Sequence, residues 1–253
     1  MKLAIIGGTG LQTIEGARLL SEHSVETPYG VSSATIKEIE LGEASILFLS
    51  RHGSEQQIPP HKINYRANIK ALHQLQVSHI LAVTAVGGIS FDYAVGDLVI
   101  PDQIIDYTWG RESTFFDGSN IDGKHGNKRR HIDFTYPYTE ALRQRLFESK
   151  DEIDRSVHLG GVYGCTQGPR LETAAEVHKL RKDGVSVVGM TGMPEACLAR
   201  ELDIAYASLS LIVNAAAGIN QAELSEEEIE HECQAASNDI KLLLRRTIDA
   251  LYR

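Results

Sequence analysis

The sequence predicts one α/β domain over residues 1–253, a mixed, twisted β-sheet flanked by helices. Two observations carry that expectation. Short aliphatic or β-branched runs alternate with amphipathic stretches from end to end, as in sheets with helices on their faces. No internal repeat, low-complexity tract or Pro/Gly linker divides the chain, and 253 residues suffice to bury a full core.

Taken in order, the strand-like runs are "KLAIIGG" at the start, then "ASILFLSRHG", "HILAVTAVGG", "DLVIPDQIIDY", "GVYGCTQGPR", "VSVVGMTG" and "LSLIVNAAAG". Between the second and third, Tyr65, Ile69, Leu72 and Leu75 recur at helical spacing. After the last run, Ile229, Cys233, Ala236, Ile240, Leu244, Ile248 and Leu251 form one apolar stripe, and Ser225 with Glu228 reads as a capping box at its start. The acidic run "EEEIEHE" is expected on the solvated face of that helix. Residues 110–136 are too long and polar for a simple connection, the kind of loop that often serves as a lid or contact.

Composition narrows the classes. With 42% hydrophobic and 23% charged residues, the chain has the balance of a soluble globular protein. No apolar run is long enough to span a bilayer, and the N-terminus enters a strand-like run without a signal-peptide core. Three cysteines, Cys165, Cys197 and Cys233, form no CxxC pair, which favours a reduced, cytoplasmic setting and no thiolate metal site. The ten histidines show no HExxH-type spacing. A net charge of −9 argues against nucleic acid as a partner, so an anionic ligand needs a locally positive or amide-lined pocket.

The unusual residues fall at strand ends. Thr9 follows the first run, Arg51 and His52 the second; Thr84 and Ala85 precede "VGG", Met190 and Thr191 follow "SVVG", and Asn214 ends "LSLIV" before a stretch of small residues. The carboxyl edge of an open α/β sheet is where ligands bind, so one shared site explains the coincidence. Gly8-Thr9-Gly10 suggests a dinucleotide fingerprint, but Thr13 stands where the third glycine belongs, and no acidic residue closes a second strand at about twenty residues' distance. An NAD(P)-dependent oxidoreductase is therefore the second reading. A Gly-rich turn bearing a hydroxyl suits a phosphate ion equally well, and Arg51 offers a guanidinium fork matched to phosphate oxygens.

"IIGGTG", "RHG" followed by "PPHKINYRANIKAL", "AVTAVGGI", "YGCTQGPRLET", "VGMTGMPEACLARELDIAYA" and "VNAAAG" together resemble the trimeric nucleoside phosphorylases, in order and over essentially the whole chain. The likeness is closest to the methylthioinosine branch, which prefers the deaminated base. The resemblance implies phosphate-dependent cleavage of a 6-oxopurine nucleoside, S-methyl-5'-thioinosine first, to hypoxanthine and 5-methylthioribose 1-phosphate. It implies no metal and no organic cofactor, inorganic phosphate as co-substrate, and a homotrimer.

Carried over residue by residue, the resemblance puts phosphate among Thr9, Arg51, His52, Ala85 and Thr191. Met190 comes under the ribose, and Gly87 beside sugar and base. Asn214, with Ala215 and Ala216 leaving room, and Glu172 face the purine. Leu171 stands where much of the family has an aromatic ring, and His131 matches a residue lent by a neighbouring subunit. Arg51, His52 and Asn214 are the expected catalytic groups. Simpler roles stand beside these: Asn214 as a turn cap, His52 as packing for Arg51, and Glu172 as the start of the helix "LETAAEV".

Overall fold

The computed structural model describes residues 1–9, 11, 17–42, 44–118, 130–220 and 225–253. Gly10 and Thr13 of the Gly-rich turn lie outside the described residues, as do 119–129 of the long loop.

At the centre lies β1 (Leu3–Gly7), buried at every position and parallel to both β6 (Ala44–Ser50) and β7 (His79–Gly88). An unbroken aliphatic run is what burial on both faces demands. The other edge of β7 pairs in parallel with β13 (Ala205–Ala215), which continues antiparallel to β8 (Leu98–Ile100) and from there to β10 (Val157–Leu159). Beyond β6 come β5 (Ile36–Leu41) and β2 (Arg18–His23), both antiparallel. A side branch joins β12 (Val187–Gly189) antiparallel to the end of β7, followed by β11 (Val162–Cys165) and β9 (Gln103–Asp106) in parallel register. These make one mixed sheet of eleven strands; β3 (Glu26–Thr27) and β4 (Gly30–Val31) pair separately. The mixed α/β class read from the sequence is the one observed.

The branch matters for function. On one edge, β7 pairs with β1 from His79 to Ala82 and with β12 at Gly87 and Gly88. Val83 to Val86 therefore have no strand beside them on that edge in the described pairings. A fork opens there, inside the sheet.

Helices seal both faces. α1 (Tyr65–Gln74) begins at Asn64, whose side chain accepts from the Ala67 N–H. It packs with α4 (Gly192–Glu201) over one face, through Tyr65, Ile69, Leu72, Ala196 and Leu198. The opposite face is covered by α2 (Glu140–Glu148) and α5 (Glu226–Tyr252) through Leu142, Leu146, Ala236, Ile240, Leu244 and Ile248. Ser225 Oγ accepts from the Glu228 N–H at 3.1 Å, the forward half of the expected box. α3 (Ala174–Lys182) covers a smaller cluster with Val177 and Leu180.

Three expectations need correction. "DLVIPDQIIDY" is two strands, β8 and β9, because Pro101 cannot donate to a ladder and Asp102 turns the chain, accepting from the Gly161 N–H at 2.9 Å. Thr84 and Ala85 lie in the middle of β7 rather than at its end. β2, β5 and β10 are additional strands; charges interrupt "RLLSEH" and "IKEIEL", and "VHL" is too short to signal.

Candidate active site

A cavity of about 170 Å³ fills the fork, lined by residues from eight separate segments of the chain. It collects Thr9, Arg51, His52, Ala85, Gly87, Leu171, Glu172, Met190, Thr191, Asn214 and Ala216, eleven of the thirteen residues singled out from the sequence. Two do not join it. Ala215 opens instead onto the neighbouring cavity with Val95, Asn220 and His231, which Val213 and Asn214 also line. His131 is exposed and outside the lining.

At one end, Gly8 lies against Arg51: a Cβ there would stand 2.8 Å from Arg51 Nη1 and 3.1 Å from the Val83 carbonyl. Only a glycine lets the turn come this close. Arg51 itself is fully buried. Its Nε and Nη2 donate to the Glu195 carboxylate at 2.7 and 2.8 Å, and Nη1 donates to the Val83 carbonyl at 3.0 Å. This corrects the sequence reading: the guanidinium fork grips Glu195, leaving two of its five N–H donors for an anion. The Tyr206 hydroxyl donates to the same carboxylate at 2.9 Å. Burial alone would lower the Arg51 pKa, but the adjacent Glu195 charge and hydrogen bonds outweigh it and raise the pKa above the usual arginine value.

Further groups converge on this end. Backbone groups two residues apart in a strand face the same edge, so the Ala85 N–H shares the open edge where the Val83 carbonyl meets Arg51. Thr191 is buried just before α4, and its hydroxyl makes no capping bond to that helix. His52 Nδ1 lies 2.8 Å from the Ile58 carbonyl, which can only accept, so Nδ1 carries a proton. Burial, then the Arg51 charge, lower the His52 pKa.

The other end is built on β13. Its register against β7 shifts between Ile212 and Asn214, so Val213 is an extra residue and Asn214 sits opposite Gly87. A bulge of this kind re-aims a side chain. Asn214 Nδ2 donates to the Ala215 carbonyl at 2.8 Å, which orients the amide and leaves its second N–H and its oxygen unspent. A Cβ on Gly87 would meet Val188, Ala216 and Asn214 at 3.3–3.4 Å, so these residues crowd together. Glu172 accepts from the Thr166 hydroxyl at 2.5 Å. It does not start α3; Thr173 caps that helix in a reciprocal box with Glu176. Val83 and Gly87 are four residues apart on β7, about 13 Å at the strand rise. A nucleoside and a phosphate laid end to end have that reach.

Sequence reasoning missed Glu195 and Arg111, and named Thr84 without its partner. Glu195 is a carboxylate among apolar neighbours in "MPEACLA", and such a residue needs a buried cation. Thr84 lines the cavity and shares a 2.9 Å hydrogen bond with Ser210. Arg111 donates to the carbonyls of Met190, Met193 and Gln167 at 2.8, 2.6 and 2.8 Å, tying the long loop to the cavity floor; nothing in "WGRES" signals that role. The rival dinucleotide reading loses its geometry: β2 pairs antiparallel with β5 at the far end of the sheet, not parallel beside β1 as the next strand of such a fingerprint would.

The fork of this branched mixed sheet thus joins a cluster of N–H and hydroxyl donors at one end of a cavity to the amide of Asn214 at the other. The family model described as the Phosphorylase superfamily matches residues 2–249. A probable S-methyl-5'-thioinosine phosphorylase of Pseudomonas syringae pv. tomato is 46% identical, over 98% of either chain. The 6-oxopurine nucleoside phosphorylase of Pyrococcus furiosus is 44% identical over 96% of this chain and 91% of its own. Among solved structures, methylthioadenosine phosphorylase from Schistosoma mansoni in complex with adenine superposes with a TM-score of 0.92 at 29% identity, covering 99% of this chain and 92% of that one. The chain belongs to the Phosphorylase superfamily.

Proposed function

We propose that this chain catalyses phosphorolysis of 6-oxopurine nucleosides, S-methyl-5'-thioinosine foremost, giving hypoxanthine and 5-methylthioribose 1-phosphate. The carrying observation is one cavity with Thr9, Arg51, His52, Ala85 and Thr191 around an anion-sized end and Asn214 at the other. A phosphate oxygen forms the new bond to C1' while the C1'–N9 bond breaks and its electron pair moves into the purine. The purine gains at N7 the proton that monohydrogen phosphate gives up on becoming a sugar phosphate. Positive charge on the sugar is stabilised by the phosphate anion, so the protein supplies positioning and electrostatics rather than a nucleophile. Neither a metal nor an organic cofactor is required; phosphate is the co-substrate.

At the departing base, the Asn214 oxygen accepts from N7–H, and the N–H not spent on Ala215 donates to O6. Glu172 takes the N1–H that hypoxanthine and guanine have and adenine lacks. The relatives named for methylthioinosine and 6-oxopurine nucleosides support this base choice. The reading includes a homotrimer in the cytoplasm, with His131 completing the site of the next subunit, for which its exposure leaves it available.

Incubation with methylthioinosine, inosine, methylthioadenosine and adenosine, with and without phosphate, tests the proposal. Base release is expected only with phosphate, and fastest from a 6-oxopurine nucleoside. Equal release in phosphate-free buffer, or an adenosine-type substrate winning on kcat/KM, would overturn it. Sedimentation of a fully active monomer would reject the trimer.

A further inference from the structure

The anion end of the cavity contains one group of the opposite polarity to its neighbours. His52 is tied to the loop that follows it through side chain and backbone: its Nδ1 donates to the Ile58 carbonyl at 2.8 Å, and the Ile58 N–H donates to the His52 backbone carbonyl at 2.9 Å. Gly53, in the left-handed region at φ +85°, lets the chain turn back for this exchange. The proton on Nδ1 is thus fixed by a backbone acceptor. Nε2 is the remaining polar atom of a ring that lines the cavity. Arg51 adds positive charge beside the ring, and burial acts in the same direction, so the imidazole is neutral and Nε2 bears a lone pair. The other contributors, the two unspent N–H groups of Arg51, the Ala85 N–H and the threonine hydroxyls of Thr9 and Thr191, can all donate.

From this polarity we infer that His52 Nε2 is a hydrogen-bond acceptor that selects an oxyanion carrying a proton, and so sets phosphate apart from sulfate. Monohydrogen phosphate and sulfate match in charge and shape at neutral pH. Only phosphate has an O–H to offer; sulfate would place a bare oxygen against the Nε2 lone pair. Arsenate, whose dianion also keeps one proton, belongs with phosphate. This deepens the phosphorolysis reading and rests on it, yet the two can fail separately: strict phosphate dependence of turnover tests that reading, and anion selectivity tests this one.

Equilibrium titration of the full-length protein with inorganic phosphate, arsenate and sulfate decides it. Phosphate and arsenate are expected to bind within a few-fold of each other, and sulfate at least about tenfold more weakly, the scale of one mismatched buried hydrogen bond. His52→Gln places an amide that can turn its N–H toward the anion, and should shrink the sulfate deficit whatever it does to turnover. Nitrogen NMR of the unmutated protein should show the Nδ1–H tautomer at neutral pH. Sulfate binding as tightly as phosphate, an Nε2–H tautomer, or a His52→Gln variant with an unchanged sulfate-to-phosphate ratio would each overturn the inference.

Discussion

Two arginine–glutamate pairs in this protein share the same chemistry and have opposite meanings. Arg51 and Glu195 meet in the fork of the sheet at 2.7 Å, with side chains 1% and 0% exposed. Arg18 and Glu40 meet across the outermost strands β2 and β5 at 2.6 Å, with side chains 69% and 41% exposed. The edge pair sits in water, where attraction is screened and side-chain entropy offsets most of the gain. In the fork both charges have left water, a cost that their mutual attraction only partly returns. A hydrophobic pair would serve stability as well. What it could not do is hold a cation, aimed by Glu195 and Tyr206, beside a cavity for an anion. The buried pair is thus explained by the site, and the exposed one by the blunting of a sheet edge with charge.

The widest separation between the two regions is expected from removing one partner of each pair. Glu195→Ala strands a buried guanidinium and should cost about 3–5 kcal/mol, whereas Arg18→Ala should leave the denaturation midpoint close to that of the unmutated protein. Urea denaturation of the two variants checks this, and comparable losses would break the contrast. The double variant Arg51→Met with Glu195→Leu sharpens it. Stability should return close to that of the unmutated protein while phosphorolysis stays lost, because the packing is restored and the cation is not.

A smaller but more selective effect is expected at the other end of the cavity, where no ion pair stands behind the working group. Asn214→Asp keeps the shape but removes both N–H groups, the one that faces O6 and the one spent on the Ala215 carbonyl. Turnover of 6-oxopurine nucleosides should fall about ten- to a hundredfold in kcat/KM, the range of one unpaired buried hydrogen bond. Thermal stability should fall by about 1 kcal/mol, since the Ala215 carbonyl loses the bond that Nδ2 donates. The gap between inosine-type and adenosine-type substrates should narrow at the same time. A uniform loss across all four nucleosides would mean that Asn214 supports the strand end and does not read the base.

The sequence carried the contents of the cavity better than its wiring. Strand-end residues such as Thr9, Arg51 and Met190 were legible because an aliphatic run followed by a polar residue marks the edge where α/β sheets bind ligands. Asn214 was legible for the same reason, but the bulge at Val213 that aims it leaves no mark in an aliphatic run. Ala215 was misplaced by that uncertainty in facing. The partner of Arg51 lies 144 residues away, so local spacing could not show that its fork was already taken. Arg111 works through backbone carbonyls, which carry no sequence identity. At the periphery, β2 was missed because its exposed, charge-bearing residues lack the apolar alternation by which a half-buried strand is recognised.

The smallest expected effect lies wholly in the edge region. Glu38 on β5 accepts from the hydroxyls of Ser45 and Ser21 at 2.8 and 3.0 Å and contacts His23 Nε2 at 3.0 Å. The Ser45 bond, then those of His23 and Ser21, hold its carboxyl down at about 2, below its ordinary 4.5. A depressed carboxylate pKa stabilises the fold while the group is ionised in both states. The contribution is therefore fully present above pH 4.5 and is lost as pH falls through the folded value near 2. Because the side chain is a quarter exposed, solvent screening keeps the contribution within about 1 kcal/mol. Glu38→Gln should lower stability by that modest amount at neutral pH, and the gap should stay constant down to about pH 4.5 and then close. Denaturation midpoints followed from pH 7 into that range read it directly. A gap that stays open in acid would mean that this cluster stabilises the protein through packing rather than charge, and that the edge resembles the fork more than its exposure implies.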